Sequence, residues 1–124
     1  MTKVNLSVRR IAEKGRGVFT NLPIAAGDVL ERAPALELDA PATDAIASTT
    51  LDNYYFAHPA DPEGGLMVLG LSTLLNHSEM PNTQTTAAFD RHVGWTVTLR
   101  ALRAIPAGEE LTRRYSCAVW FDPV

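Results

Sequence analysis

The sequence predicts a mainly β domain with short helical inserts, and three observations support this prediction. Residues 4–11 alternate between apolar and polar side chains, which is typical of a half-buried strand. Turns and a loop that contain Gly or Pro separate further short segments with the character of strands. Helix-like patterns are confined to two short segments in the middle of the chain. The elements add up to about seven short strands and two short helices.

The first strands are joined by turns that contain glycine. A charged turn with Gly15 and Gly17 precedes a short strand through residues 18–19. The pattern Ile-x-Ala-Gly-acid-x-Leu begins at Ile24 and again at Ile105, and in the first copy it leads into a strand. We expect the Gly of each copy to adopt a backbone angle that other residues avoid. The repeat fits either convergent turn chemistry or an internal duplication.

The middle of the chain contains the helical patterns. Residues 41–56 open with Pro and with Thr and Asp capping candidates, and they predict one short helix that ends near an aromatic cluster. A loop at residues 58–65 and a buried strand at residues 66–70 follow. Residues 71–75 place three leucines at i, i+3 and i+4, the spacing of a single helical turn.

The last third of the chain predicts strands again. Residues 83–89 and 95–102 have the composition of two strands joined as a hairpin, and residues 110–116 predict a last short strand. A tail with two aromatic residues ends the chain.

The totals fit one small domain over residues 1–124. Hydrophobic residues make up 46% of the 124 positions, enough for a single core. The net charge of −3 argues against a dedicated nucleic-acid binder and is compatible with a basic protein partner. Cys117 is the only cysteine, so an internal disulfide and a cysteine-based zinc site are excluded. Without a secretion signal or membrane span, we expect a cytoplasmic location, or a nuclear one in a eukaryotic or viral source, and no membrane partner.

Residues 74–82, LLNHSEMPN, concentrate polar side chains after an apolar run and allow several interpretations. Asn76 begins a glycosylation sequon, but nothing directs the chain to secretion. His77 and Glu79 are too few to bind a metal, and no histidine pair has the i, i+4 spacing of helical zinc sites. Ser78 beside His77 lacks the partners of a hydrolytic triad.

The Gly-x-Gly segment at residues 15–17 favours a tight turn when it is taken alone. The dinucleotide fingerprint needs a third Gly and a following helix, whereas a strand and a turn follow here. A pair of glycines between strands still permits a close approach of the backbone to a ligand.

Four segments, taken together and in order, resemble the SET domain family of protein-lysine methyltransferases. They are KGRGVF at residues 14–19, DNYYF at 52–56, LLNHSEMPN at 74–82 and IPAGEELTRRY at 105–115. The KGRGVF segment alone is weak evidence for the family, whereas the LLNHSEMPN and IPAGEELTRRY segments are specific to it. Together the four segments extend the resemblance over nearly the whole chain. The short form resembles the minimal stand-alone bacterial and viral members.

The resemblance implies a β-clip fold of small curved sheets, in which a C-terminal pseudoknot brings the Asn-His motif against the final Tyr segment. It implies S-adenosylmethionine as the cofactor, S-adenosylhomocysteine as its product and no metal. The implied substrate is a lysine in a protein or peptide, such as a histone or a histone-like protein. A homodimer that completes the substrate groove is left open.

The same resemblance implies the residues of the site. The Gly-x-Gly backbone would lie along the methionine part of the cofactor, Asn76 would hold its amino group, and the main chain of His77 would meet the adenine. Tyr115 would be the catalytic tyrosine of the lysine channel. The full implied set of cofactor contacts is Lys14, Gly15, Arg16, Gly17, Tyr54, Leu75, Asn76, His77, Tyr115 and Trp120.

The residue types suit methyl transfer. The lysine nitrogen, the methyl carbon and the sulfur must lie in line, so positioning carries much of the rate. A free lysine has a pKa near 10.4, and an apolar aromatic channel disfavours its ammonium form. The hydroxyl of Tyr115 can hold the amine on axis, but its own pKa near 10 makes it a poor general base.

Four departures from the family pattern leave an alternative open. Glu79 replaces the motif cysteine, and residues 73–75 replace an Arg-Phe-hydrophobic run. Two arginines at residues 113–114 stand where many members carry an aromatic and an acidic residue. The tail is short, so Trp120 and Phe121 would have to supply an aromatic lid or serve as a hydrophobic anchor. The alternative is a SET-like module with little or no activity that binds a basic peptide or protein.

Overall fold

The computed structural model describes residues 3–13 and 15–115, which contain nine strands, one α-helix and two 3₁₀ helices. The strands are β1 Leu6–Ile11, β2 Gly15–Thr20, β3 Val29–Leu38, β4 Phe56–Ala57, β5 Gly65–Val68, β6 Asn76–His77, β7 Thr83–Asp90, β8 Gly94–Ala101 and β9 Glu110–Arg113. Helix α1 is Ala40–Ile46, and the 3₁₀ helices are Thr50–Asn53 and Leu71–Leu74. No helix in this part of the chain is long and apolar enough to cross a membrane.

The strands form two sheets. The four-stranded sheet has the order β1-β2-β9-β6, and the five-stranded sheet has the order β4-β5-β3-β8-β7. Neighbouring strands are antiparallel except β6 and β9, which are parallel. The predicted mainly β class is therefore confirmed, as is the hairpin that β7 and β8 form.

The structure differs from the sequence prediction in the helix of the middle segment, in two missed strands and in the Gly-x-Gly segment, which lies within β2 rather than in a turn. One helix was expected across residues 41–56, but α1 ends at Ile46 and a separate 3₁₀ helix follows. The Thr49 hydroxyl donates to the carbonyl of Ile46 at 2.7 Å and accepts from the N–H of Leu51 at 3.2 Å. These bonds compete with helical backbone pairing and divide the segment. The two-residue strands β4 and β6 were missed because two residues carry no periodicity.

The core has two parts: the first contains residues from strands of both sheets, and the second contains residues of the five-stranded sheet only. Leu75, the last of the three spaced leucines, is buried in the first part, and Leu71 and Leu74 pack against that part. The predicted helical turn is thus confirmed, with 3₁₀ geometry. The first part consists of Val18, Ile24, Leu30, Leu75, Leu99, Ala101, Ile105 and Leu111, and the second of Ala33, Phe56, Leu66, Val68 and Val97.

The two copies of the repeated turn pair with each other. Ile24 and Ile105 form an antiparallel bridge in which each N–H donates to the other's carbonyl at 2.9 Å. The glycines have φ angles of 85° at Gly27 and 90° at Gly108, so the expected unusual backbone angle is present in both copies. The bridge fixes the start of β3 relative to β9, whose Leu111 is fully buried.

Replacing the turn glycine should destabilise the fold through the backbone alone. A Cβ at Gly108 would meet no atom within 4 Å, so Gly108→Ala adds strain at φ +90° without a clash. We expect the free energy of unfolding to fall by about 1–2 kcal/mol in urea denaturation. The control Ala107→Ser, at the exposed neighbouring position, should stay within about 0.5 kcal/mol of the parent. An equal effect of the two substitutions would contradict the backbone argument.

Candidate active site

The Asn-His motif and the C-terminal motif lie side by side as parallel strands. Asn76 pairs with Thr112, His77 pairs with Arg113, and the N–H of Ser78 donates to the carbonyl of Arg113 at 3.0 Å. The apposition that the family resemblance implies is therefore present. The threading of a pseudoknot stays a prediction, because the chain after Tyr115 lies outside the described residues.

Asn82 joins these two segments through a buried side chain. The residue is only 3% exposed. Its Nδ2 donates to the carbonyl of Glu110 and to Oε2 of Glu109, both at 2.8 Å, and its Oδ1 accepts from the N–H of Thr112 at 2.8 Å. One side chain from the Asn-His segment thus satisfies three groups of the C-terminal motif and has its own polar atoms paired, as a buried polar group requires.

Asn76 connects the junction to the Gly-x-Gly strand. Its Nδ2 donates to the carbonyl of Arg16 at 2.9 Å and to Oε2 of Glu110 at 2.7 Å. Both amide hydrogens are then used, so the chemistry of the side chain leaves Oδ1 as an acceptor. Gly17 permits this approach, because a Cβ there would lie 2.5 Å from Oε2 of Glu110 and 3.2 Å from Nδ2 of Asn76.

Tyr115 is held at both of its ends. Its hydroxyl donates to the carbonyl of Leu75 at 3.0 Å, and its N–H donates to Nδ1 of His77 at 3.0 Å. The two rings meet edge to face at 5.1 Å. Nε2 of His77 lies 3.0 Å from Oε1 of Glu79. The hydrogen bond from His77 and then the charge of Arg114 hold the pKa of Glu79 below its usual value.

Arg113 is a buried cation between aromatic rings. It is 4% exposed, and its guanidinium lies 3.9 Å from the ring centre of Phe56 and 4.3 Å from that of Tyr115. Its Nε donates to the carbonyl of Ser72 at 3.3 Å. Such stacking lets an arginine stay charged in a site with little water.

A surface cavity of about 420 Å³ lies beside the β1–β2 hairpin, next to Gly15, Arg16 and Tyr54. Its other lining residues are Val8, Arg9 and Arg10. A Cβ at Gly15, where φ is +83°, would meet no atom within 4 Å, so the space beside that backbone is open. The volume falls within the range of small-molecule sites, roughly 300–1,000 Å³.

The implied site residues form two groups. Gly15, Arg16 and Tyr54 line the cavity, whereas Leu75, Asn76, His77 and Tyr115 cluster at the junction of β6 and β9. The hydrogen bond from Asn76 to Arg16 links the two groups. Leu75 contributes its carbonyl, since its side chain is buried in the core. Two further implied contacts, Lys14 and Trp120, lie outside the described residues.

Three residues of the site, Glu110, Asn82 and Arg113, were not assigned from the sequence. Glu110 and Asn82 stand inside the quoted motifs, so their carboxylate and amide groups could have indicated a role in the site. The burial of Arg113 had no such signal, because arginine ordinarily indicates a surface position. Residues 3–13 and 15–115 contain no group of three or more His, Cys, Asp or Glu side chains that could hold a metal ion.

Comparisons with known proteins identify the family of this chain. The SET domain family model matches residues 15–116, and the chain belongs to that family. A histone-lysine N-methyltransferase of Schizosaccharomyces pombe, specific for lysine 37 of H3, is 31% identical over 117 residues, which cover 94% of this chain and 77% of that protein.

Solved structures show the same fold. A Neurospora SET domain protein, a histone lysine methyltransferase, superposes with a TM-score of 0.72 and 25% identity over 96% of this chain and 55% of that one. The Polycomb Repressive Complex 2 of Chaetomium thermophilum, bound to S-adenosylmethionine, superposes with a TM-score of 0.71 and 21% sequence identity. The match covers 91% of this chain and 15% of that one. The chain therefore has the β-clip fold of SET domains.

The junction should make stability depend on pH. Hydrogen bonds from Arg103 and then from Asn82 lower the pKa of Glu109 in the folded state. A carboxyl group with a lowered folded pKa stabilises the fold above its unfolded pKa, and that contribution is lost as pH falls through the folded pKa. We expect the free energy of unfolding to decline as pH drops below about 5, and to decline less steeply in Glu109→Gln.

The measurement is urea denaturation at a series of pH values, with Glu63→Gln, in an exposed loop, as the control variant. The control should follow the parent curve. A Glu109→Gln curve parallel to that of the parent would show that Glu109 contributes nothing to the pH dependence.

Proposed function

We propose that this chain is a protein-lysine N-methyltransferase that uses S-adenosylmethionine. The observation that carries the proposal is the convergence of three motifs on Asn76, whose side chain bonds both the Arg16 carbonyl of the Gly-x-Gly strand and Glu110 of the C-terminal motif. The hydroxyl of Tyr115 lies against the carbonyl of Leu75, the residue before Asn76. Relatives that are histone-lysine methyltransferases support the same reaction class.

The residues present fit the cofactor. The cavity beside Gly15 has a suitable size and combines open backbone, an aromatic ring from Tyr54 and the cation of Arg16. Oδ1 of Asn76 is an acceptor of the kind that an amino group needs. We therefore keep the implied contacts, including Lys14, Leu75, His77 and Trp120, as part of the proposal.

Residues of the junction would prepare the substrate lysine. When bound, S-adenosylmethionine supplies a methyl group on a positively charged sulfur, which a neutral amine can attack. The Tyr115 hydroxyl and the Leu75 carbonyl are two neighbouring oxygens that can hold the hydrogens of such an amine. The cation of Arg113, which lies 4.3 Å from the ring centre of Tyr115, disfavours an ammonium ion there, so the lysine would lose its proton before transfer.

The proposed substrate is a basic protein of the histone type. The Schizosaccharomyces pombe relative acts on a histone, and this chain carries a net charge of −3, which attracts a basic partner. A nuclear location would follow in a eukaryotic source, whereas a cytoplasmic one stays the prediction otherwise.

A second candidate, a SET-like module that binds a basic partner without catalysis, is favoured by Arg113. Its guanidinium occupies the space between Phe56 and Tyr115, the aromatic faces that a substrate lysine would otherwise meet. The two candidates differ in a simple observable, because a module without catalysis has no need to bind the cofactor.

Removing one hydroxyl tests the enzyme directly. Tyr115→Phe keeps the ring that contacts His77 and Arg113 and removes the oxygen that bonds Leu75. We expect transfer of labelled methyl to a histone mixture to fall on the order of 100-fold, since one positioned polar group at a reacting centre is worth about that much.

Calorimetry with S-adenosylhomocysteine is the control, and its affinity should fall far less than the rate in Tyr115→Phe, because the ring and main chain of this implied contact remain. Undiminished transfer in the variant would remove Tyr115 from the mechanism. Absence of S-adenosylhomocysteine binding to the parent at millimolar concentration would reject the enzyme in favour of the binding module.

A further inference from the structure

The backbone of Tyr115 depends on the protonation pattern of one imidazole. Nδ1 of His77 accepts the N–H of Tyr115, so this nitrogen must carry no proton. A neutral imidazole has one N–H and one acceptor, so its hydrogen must then lie on Nε2. The opposite tautomer would set an N–H against the N–H of Tyr115 and break the bond.

Glu79 is placed to select that tautomer. Its Oε1 lies 3.0 Å from Nε2 of His77, where a carboxylate can only accept a hydrogen. The His77 side chain is 5% exposed, so its ring nitrogens depend largely on protein partners. Arg114 lies 3.2 Å from the other oxygen of Glu79, and it precedes Tyr115 directly in the chain.

These contacts form a closed path from Tyr115 through His77, Glu79 and Arg114 back to Tyr115. Within the described residues, the charged group paired with the His77 ring is Glu79, from the turn after β6, and Arg114, which follows β9, pairs with Glu79. The lowered pKa of Glu79 keeps its carboxylate ionised to lower pH than usual. The path joins the turn after β6 to the end of β9 next to the hydroxyl that we assign to catalysis.

We propose that Glu79 is a positioning residue that, through the Nε2–H tautomer of His77, holds Tyr115 in place for methyl transfer. This inference rests on the proposed function for its catalytic consequence, but the tautomer and the hydrogen bond can be measured without any reaction. Glu79 stands at the position of the motif cysteine, so the chain would use a carboxylate for this task.

The test compares Glu79→Ala with Glu79→Gln, because a glutamine side chain keeps an oxygen that can accept from Nε2. Nitrogen-15 NMR of the His77 ring reports the tautomer, and hydrogen exchange of the Tyr115 amide reports its bond to Nδ1. In Glu79→Ala we expect a mixture of tautomers and amide exchange faster on the order of 10-fold, whereas Glu79→Gln should resemble the parent.

Kinetics supply a second readout. In Glu79→Ala we expect kcat to fall on the order of 10-fold, less than the roughly 100-fold that a misplacement of 1 Å can cost, with KM and S-adenosylhomocysteine affinity unchanged. Glu79→Gln should restore kcat. Glu63→Ala, which removes the same charge from another exposed loop, should change neither tautomer nor kcat.

The outcomes separate this inference from the proposed function. An unchanged His77 tautomer and unchanged Tyr115 exchange in Glu79→Ala would overturn the inference, even if methyl transfer is observed. A changed tautomer with faster Tyr115 exchange, in a protein that transfers no methyl group, would reject the enzyme and leave the positioning path established. An equal loss of kcat in Glu79→Gln and Glu79→Ala would also overturn it, since the glutamine oxygen should suffice.

Discussion

The buried amide of Asn82 is the interaction on which the rest of the site depends. It satisfies a backbone N–H of Thr112 and a backbone carbonyl of Glu110, and these groups lie at the strand that pairs with the Asn-His motif. A buried N–H left without a partner costs about 1–3 kcal/mol, so the amide opposes any separation of the two segments. Parallel pairing over only two residues would otherwise be a weak contact.

The other parts of the site follow from that junction. Once β6 lies beside β9, Asn76 reaches both Glu110 and the carbonyl of Arg16. These bonds hold the β1–β2 hairpin, with the cavity beside it, against the junction of β6 and β9. The same register sets His77 against the backbone of Tyr115 and the Leu75 carbonyl against its hydroxyl. Residues from distant parts of the sequence thus meet because one short pairing is held firmly.

The sequence predicted those parts that local patterns control. Alternation identified β1, composition identified the hairpin of β7 and β8, leucine spacing identified the turn at residues 71–75, and the repeated motif identified two glycines with positive φ. Local patterns do not encode pairing between distant segments, so β6 was invisible until its partner β9 was known. The resemblance to a family supplied that pairing, which periodicity alone would have missed.

Side-chain environment was the least predictable part. Arg113 has the residue type of a surface position, yet it is buried because two aromatic faces and a carbonyl receive its guanidinium. Such an environment depends on three elements that meet only in the folded chain. The bond between His77 and Tyr115 likewise needs the register of two strands, although both residues stand in quoted motifs.

The most direct test of this site is a crystal structure of the protein with S-adenosylhomocysteine. We expect the ligand to lie against the backbone of residues 15–17, with its amino group on Oδ1 of Asn76 and its sulfur facing the hydroxyl of Tyr115. A ligand bound away from Asn76, or a structure in which β6 and β9 do not pair when the ligand is present, would contradict a cofactor site built on that junction.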